Sequence, residues 1–135
     1  MYKNILVPIA LDHERDNNPA LYLAQKLLDK GGKITALHVL EHIDGYAEVY
    51  LSNDQLENRR TQAEADLVTE IADQKGVKPV LIAGQSGHSI VEYAKSHDVD
   101  CIIIASHRPG LQDYFLGSTA ARVVRHANCA VHVVR

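Results

Sequence analysis

Cys101-Ile102-Ile103-Ile104-Ala105 runs into Ser106-His107-Arg108-Pro109-Gly110-Leu111-Gln112-Asp113-Tyr114-Phe115-Leu116 and then into Gly117-Ser118-Thr119. The first five residues are apolar without alternation. A strand with one wet face alternates in polarity, whereas a strand covered on both faces does not, so this run reads as a strand of a parallel sheet. A polar loop follows, and Gly-Ser-Thr then opens a helix.

The same grammar extends in both directions. Ile5–Ile9, Ile34–Leu40, Val80–Ala83 and Ala130–Val134 are further short runs rich in β-branched residues. Between the runs lie segments with helical spacing: Leu21, Ala24, Leu27 and Leu28; Ala63, Leu67, Val68 and Ile71; Ile90, Val91 and Ala94; Ala120, Val123 and Val124. Gly31-Gly32 is read as the stop of the first helix and Gly76, with Pro79 beyond it, as the stop of the second. Asn53 or Asp54 is read as the N-cap of the second helix, and Gly87 or Ser89 as the opening of the third. Strand and helix in alternation imply right-handed crossovers, so the expected fold is α/β: a single-domain open doubly wound five-stranded parallel sheet over residues 1–135.

Composition narrows the function classes. The 135 residues, 46% of them hydrophobic, suffice for one compact domain. The chain opens on Tyr2-Lys3-Asn4-Ile5-Leu6-Val7-Pro8 with no leader pattern, and no apolar run approaches the ~20 residues that cross a bilayer. A soluble cytoplasmic protein without membrane insertion is expected. A net charge of -3 argues against nucleic acid as a partner. Cys101 and Cys129 both lead into apolar runs and read as reduced, buried thiols rather than a disulfide or a metal pair.

In an open parallel sheet the ligand crevice lies beyond the carboxyl ends of the strands, which selects the loops after Ile9, Leu40, Ala83 and Ala105. Free amides at the helix start near Gly117 favour an anion such as phosphate, with Arg108 and the hydroxyls of Ser106, Ser118 and Thr119 as added donors. Taken singly, Ser118 reads as an N-cap, Arg108 as a solvated charge and His107 as a loop-fixing hydrogen bond. Their clustering at one strand end favours the phosphate site. The eight histidines give no metal pattern: His38 and His42 straddle a strand end, and His126 suits a helix C-terminus. Asp12, Glu14, Arg15 and Asp16 read as a solvated loop, and 44–53 as a candidate lid. No Ser-His-Asp arrangement can be read from spacing.

Several stretches together resemble the universal stress protein family: Tyr2 to Pro8; Leu37-His38-Val39-Leu40; Gly84 to Ala94; Ala105-Ser106-His107-Arg108-Pro109 through Leu116-Gly117-Ser118 to Val123-Val124-Arg125-His126-Ala127; and Val131-His132-Val133-Val134-Arg135. The Ser-His-Arg-Pro loop and the Arg-His-Ala helix end resemble its small bacterial branch associated with nucleotide binding. The resemblance implies an adenine nucleotide alpha hydrolase-like sheet in the order 3-2-1-4-5 and a homodimer through the last strand, 130–135. It also implies a nucleotide site drawn from Pro8, Ala10, Asp12, Val39, Ala105, Ser106, His107, Arg108, Gly110, Gly117, Ser118 and Thr119. The family's binding members carry Gly, two residues, Gly, nine residues, then Gly-Ser or Gly-Thr. Here Gly117-Ser118 matches, Ala105 and Arg108 stand at the first two glycine positions, the spacer is eight, and Gly110 lies within it. Ala10 stands where binding members have an aspartate, with Asp12 two residues on, and Val39 matches the position that packs against adenine.

The expected function is an ATP-binding regulatory module of the stress response, acting as a dimer with a regulatory protein partner, with Mg2+ accompanying ATP and no permanent metal. Its rivals are an interaction module of the same fold without nucleotide, and a weak ATPase, phosphotransferase or autophosphorylating enzyme. No base or water-positioning residue stands out for the enzyme reading.

Overall fold

The fold is described by a computed structural model, which covers residues 1–12, 16–42, 49–106 and 116–135. Among the described residues five strands alternate with four helices: β1 (Tyr2–Pro8), α1 (Asn18–Leu27), β2 (Leu28–Leu40), α2 (Asn53–Glu70), β3 (Val77–Ala83), α3 (Ser86–Ser96), β4 (Cys101–Ala105), α4 (Ser118–His126) and β5 (Ala130–Val134). The sheet is parallel throughout, in the order β3-β2-β1-β4-β5.

The unbroken apolar runs follow from burial on both faces. Ile5, Val7, Ile34, Ala36, Cys101 and Ile103 pack with Ala20, Leu21 and Ala24 of α1 and Leu67 of α2. Their neighbours along the strands, Leu6, Leu37, Val39, Ile102 and Ile104, pack with Ile90, Val91 and Ala94 of α3 and Ala120 and Val123 of α4. Successive strand side chains point to opposite faces, so the buried stretch of each central strand is apolar at nearly every position to fill both cores, with Thr35 of β2 a buried exception. Burial pushes the Cys101 thiol up to about 12, with Cys129 and Asp100 adding to the effect, so it serves as a small core hydrophobe.

Four expected boundaries are corrected. Gly31-Gly32 does not end α1, which stops at Leu27; both glycines lie inside β2, where the register slips between Tyr2↔Leu28 and Asn4↔Lys33. Gly31 takes φ 81, and a Cβ on Gly32 would lie 2.9 Å from the Lys3 carbonyl oxygen, so the bulge needs both. The N-cap of α2 is Ser52, one residue before the expected pair, because Ser52 and Gln55 form a reciprocal capping box. That helix ends at Glu70, short of Gly76, and Pro79 lies within β3, which tolerates it because β3 is an edge strand. Finally, α3 opens at Ser86 with Gln85 as N-cap, placing Gly87 and Ser89 inside the helix. Among the described residues no helix is long and apolar enough to cross a membrane.

Candidate functional site

The order of the sheet reverses between β1 and β4, and a cleft of about 390 Å3 opens at the carboxyl end of the strands there. Its floor and walls come from Pro8–Asp12 after β1, Leu37–Glu41 at the end of β2, and Ile104 and Ala105 of β4, closed by Arg59 of α2, Ser86 and Ile90 of α3, and Thr119 of α4. This is where a doubly wound sheet is expected to take a ligand.

The β1 loop is held by Asn17. Its Oδ1 accepts from the Ala10 amide at 3.1 Å, and its Nδ2 donates to the Ala10 carbonyl at 2.8 Å and to Glu70 Oε1 at 2.9 Å. Asn17 occupies the N-cap position of α1 but makes no capping bond, because its amide is spent on the loop. Beside it, His38 Nδ1 lies 2.8 Å from the Ile9 carbonyl.

The two helix starts at the cleft differ. At α3 the Glu41 carboxylate accepts from Ser86 Oγ at 2.6 Å and Ser86 N at 3.4 Å, while the Glu41 carbonyl accepts from Arg59 Nη2 at 2.8 Å. An anionic side chain thus already occupies the positive end of that helix. At α4 the N-cap is Gly117, which has no side chain of its own to cap the helix. The first-turn amides of α4 have no intrahelical acceptor, and they face the same end of the sheet.

Of the residues singled out from the sequence, Pro8, Ala10, Asp12, Val39, Ala105 and Thr119 line the cleft. Ser106 is 2% exposed and lies behind it: its amide donates to the Val134 carbonyl at 2.9 Å, and its carbonyl accepts from the Gly117 amide at 2.7 Å. Gly117 therefore sits against the Ser106 backbone, and its missing side chain is explained there: a Cβ would fall 3.1 Å from the Ser106 oxygen. Ser118 is the first residue of α4 and exposed, so it is not the N-cap. His107, Arg108 and Gly110 lie outside the described residues, as do Glu14, Arg15 and residues 44–48 of the candidate lid. Among the described residues no cluster of His, Cys, Asp or Glu could hold a metal ion.

Sequence reasoning missed Asn17, Glu41, Arg59 and Ser86. Asn17 stands two residues before Pro19 and carries a helix-start signal, so its N-cap position was legible though its loop contact was not. Glu41 directly follows an apolar strand. Arg59 is one of several charges on a polar helix, and nothing in the pattern separates it from its neighbours.

The Universal stress protein family matches residues 1–135. The chain is 33% identical to universal stress protein A homolog 2 of Coxiella burnetii, over 99% of this chain and 95% of the relative. Its fold superposes on hypothetical protein MJ0577 with a TM-score of 0.76 and 29% identity, over 99% of this chain and 96% of the other. Three more distant neighbours were solved with a nucleotide. They are an Archaeoglobus fulgidus protein with dAMP (TM-score 0.66, 16% identity, 99% and 98% of the chains), a universal stress protein with cAMP (0.69, 18%, 99% and 97%), and an Arabidopsis thaliana protein with AMP (0.62, 18%, 98% and 90%). With residues 1–135 matched by the family and a relative 33% identical over 99% of its length, the chain belongs to the universal stress protein family.

Proposed function

We propose that this chain is a regulatory module that binds an adenine nucleotide in the cleft between β1 and β4 and acts as a homodimer in the cytoplasm. The observation that carries the reading is the difference between the two helix starts: Glu41 occupies the start of α3, whereas among the described residues no side chain occupies the start of α4, whose N-cap is Gly117. A phosphate therefore belongs on α4, near Thr119, with Arg108 as a further donor from the loop. Val39, 7% exposed, and Ile90 and Ile104 offer apolar surface for a base on the other side of the cleft. The dAMP, cAMP and AMP bound by distant neighbours support the adenine class. ATP is the physiological ligand in this reading, with Mg2+ brought by its phosphates.

Calorimetric titration with AMP, ADP and ATP, each with and without Mg2+, tests it. One saturable site per chain is expected, with ATP requiring Mg2+ for its full affinity. Silence with all three would overturn the reading and leave the same fold as a protein-interaction module, the alternative favoured by Ala10 and Arg108 at the positions of family binding residues.

The dimer rests on the two sheet edges. β3 carries Lys78 and Pro79, which blunt an edge, whereas β5, Ala130-Val131-His132-Val133-Val134, carries neither and has β4 on one side only. Antiparallel pairing of β5 with its copy would complete that ladder. Sedimentation at micromolar concentration is expected to give twice the chain mass, and a monomer there overturns this part.

A further inference from the structure

We infer that Nε2 of His38 is the acceptor in this cleft for a sugar hydroxyl of the bound nucleotide. The inference rests on the nucleotide reading above and specifies one subsite within it. A carbonyl oxygen only accepts, so the 2.8 Å contact with the Ile9 carbonyl places a hydrogen on Nδ1 of His38. In the neutral ring the lone pair then belongs to Nε2. His38 lines the cleft, and among the described residues no partner is found for Nε2.

Several of the polar groups around it are committed. The Asn17 side chain spends its oxygen on the Ala10 amide and its nitrogen on the Ala10 carbonyl and Glu70. The same bonds use both backbone groups of Ala10. One carboxylate oxygen of Glu41 takes the hydroxyl and amide of Ser86. A ligand donor entering between β1 and β2 meets a ring nitrogen whose ring is already fixed by the Ile9 bond. With phosphate on α4 and the base against Val39 and Ile104, the sugar is the part of a nucleotide left to face β1 and its neighbour β2. Its hydroxyls are the donors that a neutral imidazole nitrogen accepts.

The substitution that isolates this role is His38→Asn. The asparagine amide stands near the place of Nδ1 and keeps a donor for the Ile9 carbonyl, but it has nothing at Nε2. The wild-type protein is expected to bind AMP about three- to tenfold more tightly than 2′,3′-dideoxy-AMP, the range of one net hydrogen bond. In His38→Asn the two ligands bind equally, with the affinity for dideoxy-AMP unchanged. Equal binding of both by the wild type, or discrimination that survives in His38→Asn, overturns the inference and leaves the nucleotide reading intact. Loss of dideoxy-AMP binding in the variant would make His38 a structural residue and overturn it too. The tautomer is tested without ligand by the 15N shifts of the His38 ring: protonated Nδ1 with bare Nε2 is expected, and the opposite tautomer overturns the inference whether or not any nucleotide binds.

Discussion

Alanine at Asn17 is expected to lower the unfolding free energy by about 2–3 kcal/mol, the upper part of the range for leaving buried polar groups without partners. Asn17 is 4% exposed, and its amide satisfies the N–H and the C=O of Ala10 together with Glu70. Truncation removes all three bonds and leaves a small void beside Glu70. Some relief comes from water entering the cleft, which keeps the loss below the sum of three separate bonds. Urea denaturation should show a lower midpoint at unchanged slope. Asn17→Asp is the sharper variant. A carboxylate can still accept from the Ala10 amide, but it cannot donate to the Ala10 carbonyl or to Glu70, and it places two anions side by side. Its deficit should therefore be largest at neutral pH and shrink as the pH is lowered toward protonation of the pair. A change below about 0.5 kcal/mol in Asn17→Ala would mean that the loop holds itself without this amide. The substitution should also weaken nucleotide binding, because Ala10 to Asp12 form one wall of the cleft.

Asn17 also marks the boundary of what could be read from residues alone. The doubly wound sheet was legible because its central strands are buried on both faces, and only unbroken apolar runs such as Cys101–Ala105 satisfy two cores at once. Helix spacing was legible for α3 and for α1 as far as Leu27, Leu28 being the first residue of β2, and less so where one position of a set faces water: Val68 is 53% and Val124 44% exposed. The misplaced boundaries share a cause. Gly31-Gly32 has the composition of a helix stop, but its place opposite β1 turns it into a bulge, and register across a sheet is not local information. Ser52 was passed over for Asn53 and Asp54 because all three residue types cap helices, and only the reciprocal bond with Gln55 separates them. The strand ends announced the location of the cleft. Its lining from Arg59 and Ser86 did not announce itself, since those residues converge through helix packing rather than through spacing.

Valine at Gly117 is expected to weaken nucleotide binding at least tenfold and to lower stability by about 1–2 kcal/mol, and the two effects have separable causes. The backbone at Gly117, φ -60 and ψ 158, is open to any L-residue, so strain in the main chain plays no part. The obstacle is the Ser106 carbonyl oxygen, 3.1 Å from where a Cβ would sit. That oxygen already accepts from the Gly117 amide at 2.7 Å, and the Ser106 amide is tied to Val134 at 2.9 Å, so β4, β5 and the start of α4 meet at one backbone junction. The two γ-methyl groups of valine extend from a Cβ already 3.1 Å from that oxygen, and α4 is expected to move away from β4 to hold them. Overpacking of this kind costs about 1–3 kcal/mol, offset in part by the lower chain entropy of valine in the unfolded state. Binding suffers more than stability because amides at a helix start act on phosphate only when their spacing from the strand end is kept. Gly117→Ala, which adds the Cβ alone, should retain most of the stability and lose an intermediate part of the affinity. Calorimetry and urea denaturation on the same three proteins separate the two effects. Affinity that stays at the wild-type value in Gly117→Val while stability falls would remove phosphate from α4 and turn attention to the loop bearing Arg108; affinity that falls in step with side-chain size would place it there.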